Sequence, residues 1–249
     1  MKNVKKLLIL NLILIATNSH AMHDWIRTNL QNLGLTEPKP GPTQELKQII
    51  EREGTFKNVG IRKIQTLIGL QADPNVVSHD GRTALLIAIA DNDPLVVRLL
   101  AEFVKADINK RYGQGMTPLA IAAGDGKPLL IPILLRFGAD INTRDNLGNT
   151  PLILATRIPD GKIAIQSAQV LIDAGIDVNA QNNAGDTALH KAINRAILNR
   201  SYDLIPLLLE NGADSTIVNN AGQTPLAIAQ TNQDQKAIEL LSPKALKLP

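Results

Sequence analysis

The chain of 249 residues contains no cysteine, which rules out a disulfide, a thiol nucleophile, a thiolate metal ligand and a lipid-acceptor cysteine. Stability outside the cytosol would therefore have to come from packing alone. Aromatic residues make up only 2%, with one Trp, two Tyr and three Phe. So few bulky fillers suit thin helices joined by small-residue contacts better than a globule built on large side chains. The motifs of common chemistries are also missing: there is no Gly-x-Ser-x-Gly, no phosphate loop and no His-Glu-x-x-His. No nucleophile stands beside a base in any motif, so no catalytic residue, cofactor or metal is expected and the chain reads as a non-enzyme.

Charge is the next scarcity. The formal net charge is +3, but residues 1–21 carry three lysines and no acid. This segment has a basic start (Lys2, Lys5, Lys6), an apolar run from Leu7 to Ala16 broken by Asn11, and a small-x-small site at Ser19-His20-Ala21. It reads as a secretory signal peptide, the alternative being an uncleaved anchor helix. Without it the chain is net neutral, which removes the usual argument from a basic protein to nucleic acid. The expectation is an exported protein, periplasmic or secreted, with no membrane contact after cleavage.

What the sequence has in abundance is repetition. Gly115-Met116-Thr117-Pro118-Leu119 recurs as Gly81-Arg82-Thr83-Ala84-Leu85, Gly148-Asn149-Thr150-Pro151-Leu152, Gly185-Asp186-Thr187-Ala188-Leu189 and Gly222-Gln223-Thr224-Pro225-Leu226. Each copy has an alanine five residues past its threonine: Ala88, Ala122, Ala155, Ala192 and Ala229. The threonine is a helix N-cap and proline suits the first helical position, so each copy predicts a helix start. A second landmark keeps the same period: Ala72-Asp73-Pro74-Asn75, Ala106-Asp107-Ile108-Asn109, Ala139-Asp140-Ile141-Asn142, Ile176-Asp177-Val178-Asn179 and Ala213-Asp214-Ser215-Thr216. Its aspartates recur once per period, which marks a turn residue rather than a catalytic one.

Gly-x-Thr-Pro-Leu-x-x-Ala, a second helix ending in Leu-Leu, then Gly-Ala-Asp-x-Asn resembles the ankyrin repeat over about three quarters of the chain. The resemblance implies an all-α repeat solenoid of helix-turn-helix layers joined by hairpin loops. It also implies a monomeric interaction module for a protein partner. The family's histidine survives only as His190, where it would bond back to Thr187; Leu86, Ala120, Ile153 and Ala227 replace it elsewhere.

On this reading residues 1–21 are the signal and 22–42 an N-terminal helix and Pro-rich linker. The repeat domain spans 43–241: a capping repeat 43–77, repeats at about 78–111, 112–144, 145–181 and 182–218, and a C-terminal cap 219–241. A tail, 242–249, follows. Trp25, Ile26, Leu30 and Leu33 form a helical stripe that docks on the first repeat or serves a membrane or partner. His20 and His23 lack the companions of a metal site. Thr43 is expected to cap the next helix, Pro132 and Pro206 to lie one turn into their helices, and Gln230, Gln233, Asp234, Gln235 and Lys236 to face water. The third and fourth repeats are longer than the first two. The extra residues, around Arg157 to Gln166 and Arg195 to Tyr202, are expected to lengthen the first helix or its loop, as neutral drift or as a binding feature.

Variation concentrates at the hairpin tips, on a concave strip where side chains are expected to vary without touching the core. The candidate partner-binding residues are His79, Asp80, Arg82, Gln114, Met116, Asn146, Leu147, Asn149, Asn183, Asp186, Asn220 and Gln223. The strip is mostly neutral amide and suits a folded protein partner, in the producing cell's envelope or as the target of a host-directed effector. A role as accessory to an envelope enzyme needs only binding and stays open.

Overall fold

A computed structural model describes residues 41–52, 54–57, 59, 61–70, 72–103 and 106–242. These fall, apart from Gly41, in one compact unit, Pro42–Pro249. The signal segment, the Trp25 helix, His20, His23, most of the linker and residues 243–249 lie outside the described residues.

Five threonines set the layers. Thr83, Thr117, Thr150, Thr187 and Thr224 are all extended N-caps, and each hydroxyl accepts the N–H three residues on (Leu86, Ala120, Ile153, His190, Ala227) at 3.1–3.4 Å. A cap of this kind contributes about 1 kcal/mol. Pro118, Pro151 and Pro225 open their helices, where the missing N–H would have had no intrahelical partner.

Among the described residues there are twelve α-helices, and they pair into six layers. The pairs are α1 (Pro42–Arg52) with α2 (Ile61–Gly69), α3 (Ala84–Ala90) with α4 (Pro94–Phe103), and α5 (Pro118–Gly124) with α6 (Ile131–Arg136). They continue with α7 (Pro151–Ala155) and α8 (Gly161–Asp173), α9 (Ala188–Asn199) and α10 (Leu204–Glu210), and α11 (Pro225–Thr231) and α12 (Gln235–Leu241). First helices pack on the first helices of the next layer from α1 through α11, and second helices do the same from α2 through α10. The contacts are close because Ala88, Ala122, Ala155, Ala192 and Ala229 are all at most 2% exposed. Leu85, Leu119, Leu152 and Leu189, with Leu100, Leu134, Leu171 and Leu208, fill the space between the helices of each layer. Burying each contributes about 2 kcal/mol.

The second helices of the middle layers end on a left-handed glycine. Gly138 has φ +89°, its N–H reaches the Leu135 carbonyl, and the next N–H, of Ala139, reaches Leu134. The turn that follows is tied by its aspartate: Asp140 Oδ1 accepts the Asn142 N–H at 2.9 Å, and Asp73, Asp107, Asp177 and Asp214 repeat the bond. These recurring carboxylates therefore have a structural task.

The helix details differ from expectation in four places. Thr43 is no cap: helix α1 begins at Pro42, and the Thr43 hydroxyl accepts the Asp73 N–H at 2.9 Å instead. Pro132 and Pro206 lie second and third in α6 and α10, still within the first turn, so neither removes an intrahelical bond. In the third repeat the added length goes to the second helix. Asp160 caps α8 through the Lys162 and Ile163 N–H groups, and α8 runs to 13 residues while α7 has only 5. In the fourth repeat it lengthens the first helix, α9, to 12 residues. Finally, Asp234 does not face water; it is 4% exposed.

Candidate functional site

Except in the second repeat, where Tyr112–Met116 closes on backbone bonds alone, each hairpin tip is a five-residue return folded by its first side chain. In the third repeat Asp145 Oδ1 accepts the N–H groups of Leu147 and Asn149, and the Gly148 N–H closes on the Asp145 carbonyl. Asn182 and Asn219 act in the same way on Ala184 and Asp186, and on Ala221 and Gln223.

The tips then join in a ladder. Asn146 N–H donates to the Gln114 carbonyl, Asn183 N–H to Leu147 and Asn220 N–H to Ala184, each at 2.9–3.0 Å. Side-chain amides reinforce two of these steps, Asn183 to the Asn146 carbonyl at 3.1 Å and Asn220 to the Asn183 carbonyl at 3.0 Å. Three of the tip glycines, Gly115, Gly148 and Gly185, have to be glycine twice over. Gly148 has φ +74°, and a Cβ there would lie 2.8 Å from the Asn183 nitrogen and still nearer its Oδ1. Gly81 and Gly222 have positive φ too, yet a Cβ on either would meet nothing within 4 Å. Among the described residues no tip follows Gly222, and the tip after Gly81 carries Gly113 where the later tips carry asparagine.

Joining the tips fixes which candidate residues remain available. His79, Asp80, Gln114, Asn146, Leu147, Asn183 and Asn220 are exposed; Arg82, Met116 and Gln223 are half-buried. Asn149 and Asp186 are 5% and 6% exposed, and the expectation that they stand free for a partner is corrected here. Both are joints between repeats: Asn182 donates to Asn149 Oδ1 at 2.8 Å and Asn219 to Asp186 Oδ1 at 2.9 Å. Burial works against ionisation of Asp186, but bonds from Lys191 and Asn219 outweigh it and leave its pKa below the usual carboxylate value. The bond from the Ser78 hydroxyl, followed by Arg82, lowers that of the exposed Asp80. Gln114 is the one tip residue other than glycine with positive φ, at +60°, among the described residues. Leu147 projects with 61% of its surface exposed.

His190 is fully buried and joins two layers. Its Nδ1 takes the Thr187 backbone N–H at 3.2 Å, and because that group can only donate, Nδ1 must be the acceptor. The ring proton therefore sits on Nε2 and donates to the Gln223 carbonyl at 3.0 Å. No substrate could reach this imidazole. Its position in the first repeat is served differently, by a bond between the Thr83 hydroxyl and Tyr112 of the next hairpin at 2.6 Å.

Sequence reasoning missed the joints made by the added segments. Arg195, 8% exposed, reaches from α9 back to the Thr156 and Pro159 carbonyls at 3.4 and 2.9 Å. The Tyr202 hydroxyl donates to Asp234, which also takes Arg200 and the Ala237 N–H and so caps α12. Lys236 lies over the Tyr202 ring, 4.4 Å from its centre. These segments bind the last three layers together. The one available signal was an arginine on the otherwise apolar stripe Ala192, Ile193, Ala196.

Among the described residues no three His, Cys, Asp or Glu side chains gather in a way that could hold a metal ion. No helix there is long and apolar enough to cross a membrane.

Two-helix layers stacked through capped turns, with a ladder of hairpin tips along one edge, define a helical-repeat solenoid. The family model for ankyrin repeats (3 copies) matches residues 56–145, 97–164, 120–217 and 161–247. An ankyrin repeat domain from Acinetobacter baumannii AYE, known from its crystal structure, is similar at 30% identity and a TM-score of 0.66, over 74% of this chain and 92% of that one. The chain belongs to the ankyrin repeat family, whose members are generally protein–protein interaction modules and typically not catalysts. No curated protein matches the sequence.

Proposed function

We propose that this is an exported binding protein that grips a folded protein partner with its tip ladder and has no catalytic activity of its own. The observation that carries the reading is the ladder itself: the second to fifth tips are held at fixed intervals by backbone bonds, while Gln114, Leu147 and the asparagine faces point outward. Such pre-organisation lowers the entropic cost of association. Leu147 supplies an apolar anchor, and the amides around it supply adaptable hydrogen bonds. Export rests on the signal-like residues 1–21, and the mature chain would begin at Met22.

The test is photo-crosslinking in the producing cell, with the reactive group placed at Gln114 or Leu147 on the tips and at Arg98 or Glu239 on the second helices. The tip positions should capture the same protein and the helix positions should not. Equal capture from both faces would remove the strip as the binding surface. N-terminal sequencing of the mature protein from the envelope and the medium tests export separately.

A further inference from the structure

The landmark turns are held to one another by their asparagines, with one exception. Asn75 accepts the Asp107 N–H at 2.8 Å, Asn109 that of Asp140 at 2.9 Å and Asn179 that of Asp214 at 2.8 Å. Between the second and third repeats the corresponding pair is Asn142 and Asp177. Neither the Asn142 side chain nor the Asp177 N–H makes a hydrogen bond among the described residues. Four of the turns place an alanine before the aspartate, Ala72, Ala106, Ala139 and Ala213; this one places Ile176, only 5% exposed. The turn with the larger side chain beneath it is thus the one whose aspartate amide is not joined to the preceding asparagine.

The open joint is a notch lined by Asn142, Arg144, Thr150, Ile176, Asp177 and Ala180. Its floor is buried: Thr150, Ile176 and Ala180 are 3%, 5% and 8% exposed. Its walls, Asn142, Arg144 and Asp177, are exposed. The donors are grouped. Besides the Asp177 N–H and the Asn142 amide there is Arg144, whose Nη1 serves the Gly148 and Gln181 carbonyls and whose Nη2 is uncommitted. The Thr150 hydroxyl takes the Ile153 N–H and has its own proton left to give. One acceptor remains on the same wall, Asp177 Oδ2, since Oδ1 holds the Asn179 N–H.

We propose that this notch binds a free α-amino acid with a small apolar side chain. The carboxylate takes the donors of Asn142, Arg144, Thr150 and the Asp177 backbone, and the ammonium pairs with the Asp177 carboxylate. The side chain rests on Ile176 and Ala180. Charge-assisted bonds to both ends of a zwitterion reject ligands that carry only one of the charges. The site is separate from the tip ladder and does not depend on the identity of the protein partner.

The experiment is titration of the 15N-labelled full-length chain with L-alanine, followed by amide shifts, with propionate and ethylamine as single-charge controls. L-alanine should shift the Asp177 and Asn142 amides saturably with a millimolar Kd, and each control should bind at least about tenfold more weakly. Ile176→Ala restores the residue found at the other turns, so Asn142 closes on Asp177 and binding should fall by about tenfold or more. Arg144→Gln, which leaves the turn and its floor unchanged, should weaken binding by a similar factor and serves if Ile176→Ala melts too early. Absence of saturable shifts with L-alanine, equal binding of propionate, or undiminished binding by both variants would each overturn the assignment.

Discussion

The junction between the first and second repeats and the junctions between the third repeat, the fourth and the C-terminal cap are built on the same apolar plan. Leu85 and Leu100 are as fully buried as Leu189 and Leu208. The polar bonds across them differ. The first junction is crossed by Thr83 to Tyr112, by Asn109 to Asp140 and Gly138 and by Arg111 to Arg144, and its tips share no rung among the described residues. The later ones add the tip rungs, Asn182 to Asn149, Asn219 to Asp186, His190 to Gln223, Arg195 to two carbonyls and the Tyr202–Asp234 joint. In a stack where each layer touches only its neighbours, apolar burial gives every layer similar stability, and the polar joints decide where it opens first. Of the junctions compared, that is the first.

Core truncations test the comparison most severely. Leu100→Ala and Leu171→Ala each remove a fully buried side chain and should cost about 3 kcal/mol. Hydrogen exchange should show protection lost only N-terminally in Leu100→Ala and throughout the fourth repeat and the cap in Leu171→Ala. Equal spread of the loss in both would mean that the junctions are equivalent after all. The tip glycines come next: Gly148→Ala should cost about 2 kcal/mol or more, against about 1 kcal/mol for Gly222→Ala, which meets only the backbone penalty. Urea midpoints would measure the difference.

Asp234→Ala removes the α12 cap and strands the Tyr202 hydroxyl, for about 1.5 kcal/mol. Burial opposes ionisation of Asp234, yet the bonds from Ala237 and Tyr202 and the nearby Arg200 hold its pKa below the usual carboxylate value. Its contribution is thus fully present above about pH 4 and is lost as the pH falls through the lowered folded value. Acid unfolding should accordingly be less steep in the variant. The smallest effect is that of His190→Leu, which gives up the Gln223 bond for about 1 kcal/mol and leaves tip crosslinking unchanged. A loss of crosslinking with stability intact would show that His190 has a role beyond joining layers.

The five capped helix starts were legible because threonine, proline and alanine act locally, within one turn of the chain. The destination of the added residues was not. Spacing between landmarks counts the residues but does not say which helix continues, and that depended on Asp160 bonding the N–H groups beside it. Asn149 and Asp186 looked like free tip side chains for a related reason. Their burial depends on Asn182 and Asn219, each 33 residues further along the chain. Polar residues that face a neighbouring layer and those that face water have the same composition, and only the stacked arrangement separates them.

The bare Cα of Gly148 against Asn183 does more than permit a turn. With no side chain between the two tips, the interval from one to the next is set by backbone bond lengths alone, which thermal motion barely changes. A partner laid across the later tips meets a ruler with fixed graduations. It is selected by the spacing of its own contacts as much as by their chemistry.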